Sequence, residues 1–147
     1  MNNTPDEKRI LFVDDDTNLL DSFNRLFGRN YNLATASGAL EALKQLENGN
    51  SFAVVVSDMR MRGMDGIALL KELRRRAPGT IRILLTGMGD QAVAVRAINE
   101  GHVFAFLNKP VTPEALREVL DDALTHWRMR SNEREFLDRA IGDIDFS

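Results

Sequence analysis

Five short apolar runs punctuate the chain, at residues 10–13, 31–36, 52–56, 81–85 and 103–107. Four are nearly continuous, Val54-Val55-Val56 most plainly, as expected of parallel strands covered on both faces. The second, Tyr31-Asn32-Leu33-Ala34-Thr35-Ala36, alternates more and suits a sheet edge. Between the runs the apolar spacing becomes helical. Leu19, Leu20, Phe23, Leu26 and Phe27 share one face ahead of Gly28, and Leu40, Leu43 and Leu46 share a second ahead of Asn48-Gly49-Asn50. Ile67, Leu70, Leu73 and Ala77 form a third, cut by Pro78-Gly79, and residues 93–98 a fourth, stopped at Gly101. A fifth helix opens at Thr112-Pro113, a capping hydroxyl followed by proline at the first helical position. It carries Leu116, Val119, Leu120, Ala123, Leu124 and Trp127 inward.

Strict alternation of strand and helix predicts an α/β fold, a doubly wound five-stranded parallel sheet with right-handed crossovers. The polar start, residues 1–8, is expected to be disordered, and residues 9–127 to form the compact domain. From Arg128 to Glu135 the chain is nearly all polar, so residues 128–147 are expected to be a helical extension or a linker to an output domain outside this chain. Phe136, Leu137, Ala140, Ile141 and Ile144 return at helical spacing, which favours a continued helix that packs on a second copy or on that output domain.

Composition narrows the function classes. A chain of 147 residues without cysteine has no disulfides or thiolate chemistry and fits a reducing compartment. Hydrophobic residues at 44% and charged residues at 28% suit a soluble globule, and a net charge of −3 offers no basic excess for direct nucleic-acid binding. No apolar stretch approaches the roughly 20 residues of a membrane span or resembles a signal peptide. The expected setting is the cytoplasm, with no membrane partner.

In sheets of this kind function sits at the carboxyl ends of the strands. The first run ends in Asp14-Asp15-Asp16, the third in Ser57-Asp58, the fourth in Leu85-Thr86-Gly87 and the fifth in Asn108-Lys109-Pro110. Carboxylates crowded at one edge raise one another's pKa unless a cation relieves them, and oxygen ligands alone select a hard ion, Mg²⁺ first.

Together, the acidic pair, Asp58 within Asp58-Met59-Arg60-Met61-Arg62-Gly63-Met64-Asp65-Gly66, Thr86-Gly87 and Lys109-Pro110 resemble the receiver domain of two-component response regulators. The resemblance implies a flavodoxin-like (βα)5 fold with strand order 2-1-3-4-5. It makes Asp58 the phosphoacceptor for a sensor histidine kinase or phosphotransfer protein. It makes Asp14 and Asp15 the acidic pair that holds Mg²⁺, with Asp58 and the backbone carbonyl of Arg60 as further ligands. Lys109 would pair with the phosphoryl oxygens, and Thr86 and Phe106 would be the switch pair. It also implies a cis peptide at Lys109-Pro110 and no enzymatic turnover beyond Mg²⁺-dependent self-phosphorylation and autodephosphorylation. A homodimer through the fourth helix, fifth strand and fifth helix is expected from Val93, Val95 and Ile98, which cannot all face inward. The runs Phe104-Ala105-Phe106-Leu107-Asn108-Lys109-Pro110 and Asn132-Glu133-Arg134-Glu135-Phe136-Leu137 resemble, loosely, receivers joined to cyclic-dinucleotide phosphodiesterase modules.

Two positions depart from that pattern, and two variable positions beside the acceptor carry long side chains. Arg62 stands where proline is frequent, so the loop after Asp58 is expected to be looser or simply more basic. Phe106 replaces a common tyrosine and brings no hydroxyl. Arg60 and Met88 flank the acceptor with long side chains, which favours slow dephosphorylation. Asp16 and Asp65 read most simply as helix caps, Arg74-Arg75-Arg76 as a solvated helix face, and Met59, Met61, Met64 and Met88 as loop packing around the site. The competing class is a haloacid-dehalogenase-type aspartyl phosphatase, whose motif order Asp14-x-Asp16, Thr86, Lys109 and Gly142-Asp143-x-Asp145 imitate. That reading leaves Asp58 without a task.

Overall fold

The computed structural model describes residues 9–142. The expectations for residues 1–8, and for Asp143, Ile144 and Asp145, lie outside the described residues. In chain order the elements are β1 (Arg9–Val13), α1 (Thr17–Phe27), β2 (Asn32–Ala36), α2 (Ala39–Glu47) and β3 (Val54–Asp58). Then follow α3 (Gly66–Arg76), β4 (Ile81–Thr86), α4 (Gln91–Asn99), β5 (Ala105–Asn108) and α5 (Pro113–Gly142). The five strands pair in parallel in the order β2-β1-β3-β4-β5. β3 and β4 are buried at every position, which is why their sequences carry no polar alternation, whereas β2 lies at one edge and is half-buried.

Successive strand residues feed two separate cores. Ile10, Phe12, Val54, Val56, Ile83 and Leu85 meet Leu20, Phe23 and Phe27 of α1 and Leu116, Leu120 and Ala123 of α5. Leu11, Val13, Val55 and Leu84 point the other way, onto Ala42 and Leu43 of α2, Leu69, Leu70 and Leu73 of α3, and Ala94 and Ala97 of α4. Asp16 caps α1 by accepting from the Asn18 and Leu19 N–H groups, Asp65 caps α3 through Ala68, and the Thr112 hydroxyl caps α5 through Ala115.

Several sequence expectations are corrected. Leu40 is 74% exposed, because α2 turns Ala39, Ala42 and Leu43 to the sheet and Leu40 falls one position off that stripe. Leu26 is exposed for the same reason on α1. The arginines of α3 do lie on an exposed face, as expected, and there Arg75 and Arg76 bind Glu72 and Arg74 donates to the Glu100 carbonyl. Within β4, Arg82 is buried, and its guanidinium donates to the carbonyls of Thr80 and His102, each at 2.9 Å.

α5 is a single helix through Gly142, with its buried residues ending at Leu124 and Met129, Phe136, Leu137 and Ile141 exposed beyond. Its first half is fastened to the edge of the sheet by Tyr31, whose hydroxyl donates to Asp121 Oδ1 at 2.7 Å. Burial and this bond push the Tyr31 pKa up from 10.0 to about 12. The neutral phenol therefore stabilises the fold below pH 10.0, and that contribution is lost as pH rises towards about 12. Tyr31 is the chain's only tyrosine, so ultraviolet titration reads it alone. A midpoint near 12 is expected in the folded protein, falling towards 10.0 in Asp121→Ala.

Candidate functional site

The register places the five strand ends side by side. Val13 pairs with Ala36 and Ser57, Asp58 with Leu85, and Thr86 with Asn108. Asp14 follows β1 directly, its N–H held by the Ala36 carbonyl at 3.1 Å, and Asp58 is the last residue of β3. Lys109 follows β5, its N–H donating to the Thr86 carbonyl at 2.7 Å, and the Lys109–Pro110 bond is cis. Gly66, the first residue of α3, lies against the Asp58 backbone, where an added Cβ would come within 2.2 Å of the Asp58 carbonyl oxygen.

The side chains then converge. Lys109 Nζ lies 2.8 Å from Asp58 Oδ1 and 3.6 Å from Asp14 Oδ2. Carboxylate oxygens of Asp14, Asp15 and Asp58 all lie within 4.8 Å of one another. Asp14 Oδ1 accepts the Asp16 N–H at 2.9 Å, but its buried Oδ2 has no hydrogen-bond partner. Asp15 is exposed, and its Oδ2 accepts the Arg62 N–H at 3.0 Å. Proline has no such donor, so Arg62 does not loosen this loop but ties it to the acidic pair.

Thr86 and Phe106 sit beside this cluster rather than in it. The buried Thr86 hydroxyl donates to Asn108 Oδ1 at 2.8 Å, and Phe106 is half-buried against the α2–α4 core. Met59, Met61 and Met64 pack into or against that core, but Met88 is 98% exposed. Arg60 sends its guanidinium to Asp90, with hydrogen bonds of 3.0 and 2.6 Å to the two carboxylate oxygens. Nothing local in the sequence marks that pair.

Electrostatically the site sets three carboxylates against the one ammonium of Lys109. Burial raises the Asp14 pKa above its usual 3.8, the Asp16 N–H opposes this, and the Asp58 charge adds to it. Burial alone would lower Lys109, but the hydrogen bond and charge of Asp58, then the charge of Asp14, outweigh it and leave the ammonium raised. A raised Asp14 favours the fold when protonated, and that contribution is lost as pH climbs through its folded pKa. Asp14→Asn is therefore expected to stabilise the metal-free protein at neutral pH and to raise its Tm. Thermal unfolding in EDTA at pH 7 and at pH 4 checks it, with the difference shrinking at the lower pH.

The phosphatase-like order dissolves at this point. Asp16 is committed to the α1 cap, while Asp58 stands at the centre of the cluster against Lys109. Among the described residues no helix is long and apolar enough to cross a membrane.

Comparisons with known proteins agree with this geometry. The chain is 40% identical over 126 residues to the transcriptional regulatory protein GlrR of Escherichia coli (strain K12), covering 85% of this chain and 28% of that protein. It therefore spans little more than a quarter of that relative's length. Among solved structures, an adenylate cyclase structure from Rhodopirellula baltica aligns with a TM-score of 0.87 at 33% identity, covering 89% of this chain and 97% of that one. A CheY-like response regulator receiver domain protein from Methanospirillum hungatei JF-1 aligns with a TM-score of 0.77 at 32% identity, covering 84% and 98%. The response regulator receiver domain family matches residues 10–121, and the chain is a member of that family.

Proposed function

We propose that Asp58 is the phosphoacceptor, charged in the cytoplasm by a sensor histidine kinase or phosphotransfer protein. The observation that carries this reading is the Lys109 ammonium held 2.8 Å from Asp58 beside the unpartnered Oδ2 of Asp14. The Asp58 carboxylate attacks phosphorus, the phosphorus–nitrogen bond of the donor histidine breaks, and an acyl phosphate remains on Asp58. Lys109 pairs with the oxygens of the incoming group, a role its distance from Asp58 supports. A buried carboxylate oxygen without a donor, inside three carboxylates and with oxygen ligands only, fits a hard cation. Asp14, Asp15, Asp58 and the Arg60 backbone carbonyl would hold Mg²⁺. The ion would offset the charge of carboxylates and phosphoryl group.

Thr86 then exchanges Asn108 for a phosphoryl oxygen, and Phe106 moves into the space behind it. Val93 and Val95 on α4 and Phe104 before β5 are exposed, which supports a dimer face across α4, β5 and α5. The expectation of no nucleic-acid partner rests on charge alone, and a relative named as a transcriptional regulatory protein gives it no support. That relative favours transcriptional output by a longer protein over a phosphodiesterase module, with any DNA contact made outside this chain.

Intact-protein mass measurement with acetyl phosphate tests the reading. Addition of a single phosphoryl group in Mg²⁺, and none in EDTA, is expected. Equal uptake in both would remove the metal from the account, and no uptake in either would remove the acceptor.

A further inference from the structure

Arg60 and Asp90 are 30 residues apart, yet they form the most complete ion pair near the site. Arg60 lies on the loop after β3, two residues beyond Asp58. Asp90 precedes α4, four residues beyond Thr86. Asp90 is buried but does not cap its helix through its side chain. Instead its carboxylate takes both Arg60 bonds, which, with a smaller contribution from the nearby Gly87 N–H, hold its pKa below the usual 3.8. Its own N–H returns to the Gly87 carbonyl at 3.3 Å. The turn Gly87-Met88-Gly89 is thus closed on itself and clamped from outside by Arg60.

The same end of α4 also holds Thr86. Gln91 Nε2 donates to Asn108 Oδ1 at 3.3 Å, the atom that receives the Thr86 hydroxyl. Gly87 follows Thr86 directly, so any backbone displacement that accompanies a turn of that hydroxyl towards Asp58 is opposed by the clamp. A guanidinium on the acceptor's own loop is thus tied to the turn that follows Thr86.

We infer that the Arg60–Asp90 pair is a positioning clamp that holds Thr86 in its resting orientation and so sets how readily the site accepts a phosphoryl group. This rests on the reading of Asp58 as acceptor and Thr86 as switch. A ligand that needs a partly populated conformer binds with an affinity reduced by that fraction, so releasing the clamp raises apparent affinity.

Calorimetric titration of beryllofluoride in Mg²⁺ is the test, on the wild type, Arg60→Met, Asp90→Asn, the double variant and Arg60→Lys. Each of the first two variants is expected to bind roughly three- to tenfold more tightly. The double variant should gain no more than either single one, because both remove the same interaction. Arg60→Lys, which keeps a charge but not the two-pronged geometry, should fall between. The Gly87 amide resonance of Asp90→Asn should lie part-way towards its beryllofluoride-bound position. A lower Tm with unchanged or weaker beryllofluoride binding would make the pair purely structural and overturn the inference, as would additive effects. Asp58→Asn binding as tightly as wild type would instead defeat the acceptor reading, and the inference would fall with it.

Discussion

Lys109→Ala is expected to slow phosphorylation by acetyl phosphate about a hundredfold, the usual cost of removing one preorganised cationic donor. Its ammonium sits 2.8 Å from Asp58 and is the cation nearest to the buried Asp14 oxygen. Without it the incoming phosphoryl group meets carboxylates with no fixed positive charge to oppose them. Two further effects separate this from general damage. Asp14 loses a charge that lowers its pKa, so the carboxyl is expected to titrate higher still in the variant. Lys109→Arg keeps the charge but misplaces a bulky planar group, so it should restore only a small part of the rate. Stopped-flow uptake of the phosphodonor at fixed Mg²⁺ measures each.

Gly66→Ala is expected to cost about 2–3 kcal/mol of stability, as overpacking at a rigid contact does, and to lower Tm by roughly 10 °C. A Cβ there would lie 2.2 Å from the Asp58 carbonyl oxygen and 2.9 Å from Met59 Cα. Neither atom has room to retreat, because Asp58 is paired with Leu85 in the sheet and the Met59 N–H is bound to the Leu85 carbonyl at 2.9 Å. Relief must come from tilting the start of α3 or displacing Asp58 from Lys109. Chemical denaturation and phosphorylation rate should therefore fall together, whereas Leu40→Ala, a change at an exposed position, should move neither.

How much of this was legible in the sequence follows from which interactions are local. Strand positions could be read because β1, β3 and β4 are buried on both faces and must be apolar nearly throughout. Arg82 breaks that rule inside β4, since carbonyls of the preceding and following loops satisfy its guanidinium, a solution invisible before the sheet is assembled. Leu40 misled because α2 uses alanines for its closest approach, and small residues give a weak periodic signal. The site's acidic and basic members could be placed because strand ends in a parallel sheet share one edge. The geometry brings Asp14, Asp15, Asp58 and Lys109 together, with Thr86 adjacent but turned towards Asn108.

What could not be read was the environment of these groups. The Arg60–Asp90 clamp joins residues 30 positions apart through two loops. Asp90 imitates a helix cap, and Gly66 imitates a turn glycine. The Arg62 N–H on Asp15 depends on loop geometry that no spacing rule describes. In each case the deciding quantity is a distance set by packing.

The central claim is that Asp58, and no other carboxylate of the cluster, carries the phosphoryl group. Borohydride reduction of the acetyl-phosphate-treated protein, followed by peptide mass mapping, locates the acyl phosphate directly. The account predicts the reduced residue at Asp58, in Mg²⁺ only, and none in Asp58→Asn. Reduction at Asp14 or Asp15 in the wild-type protein would contradict it.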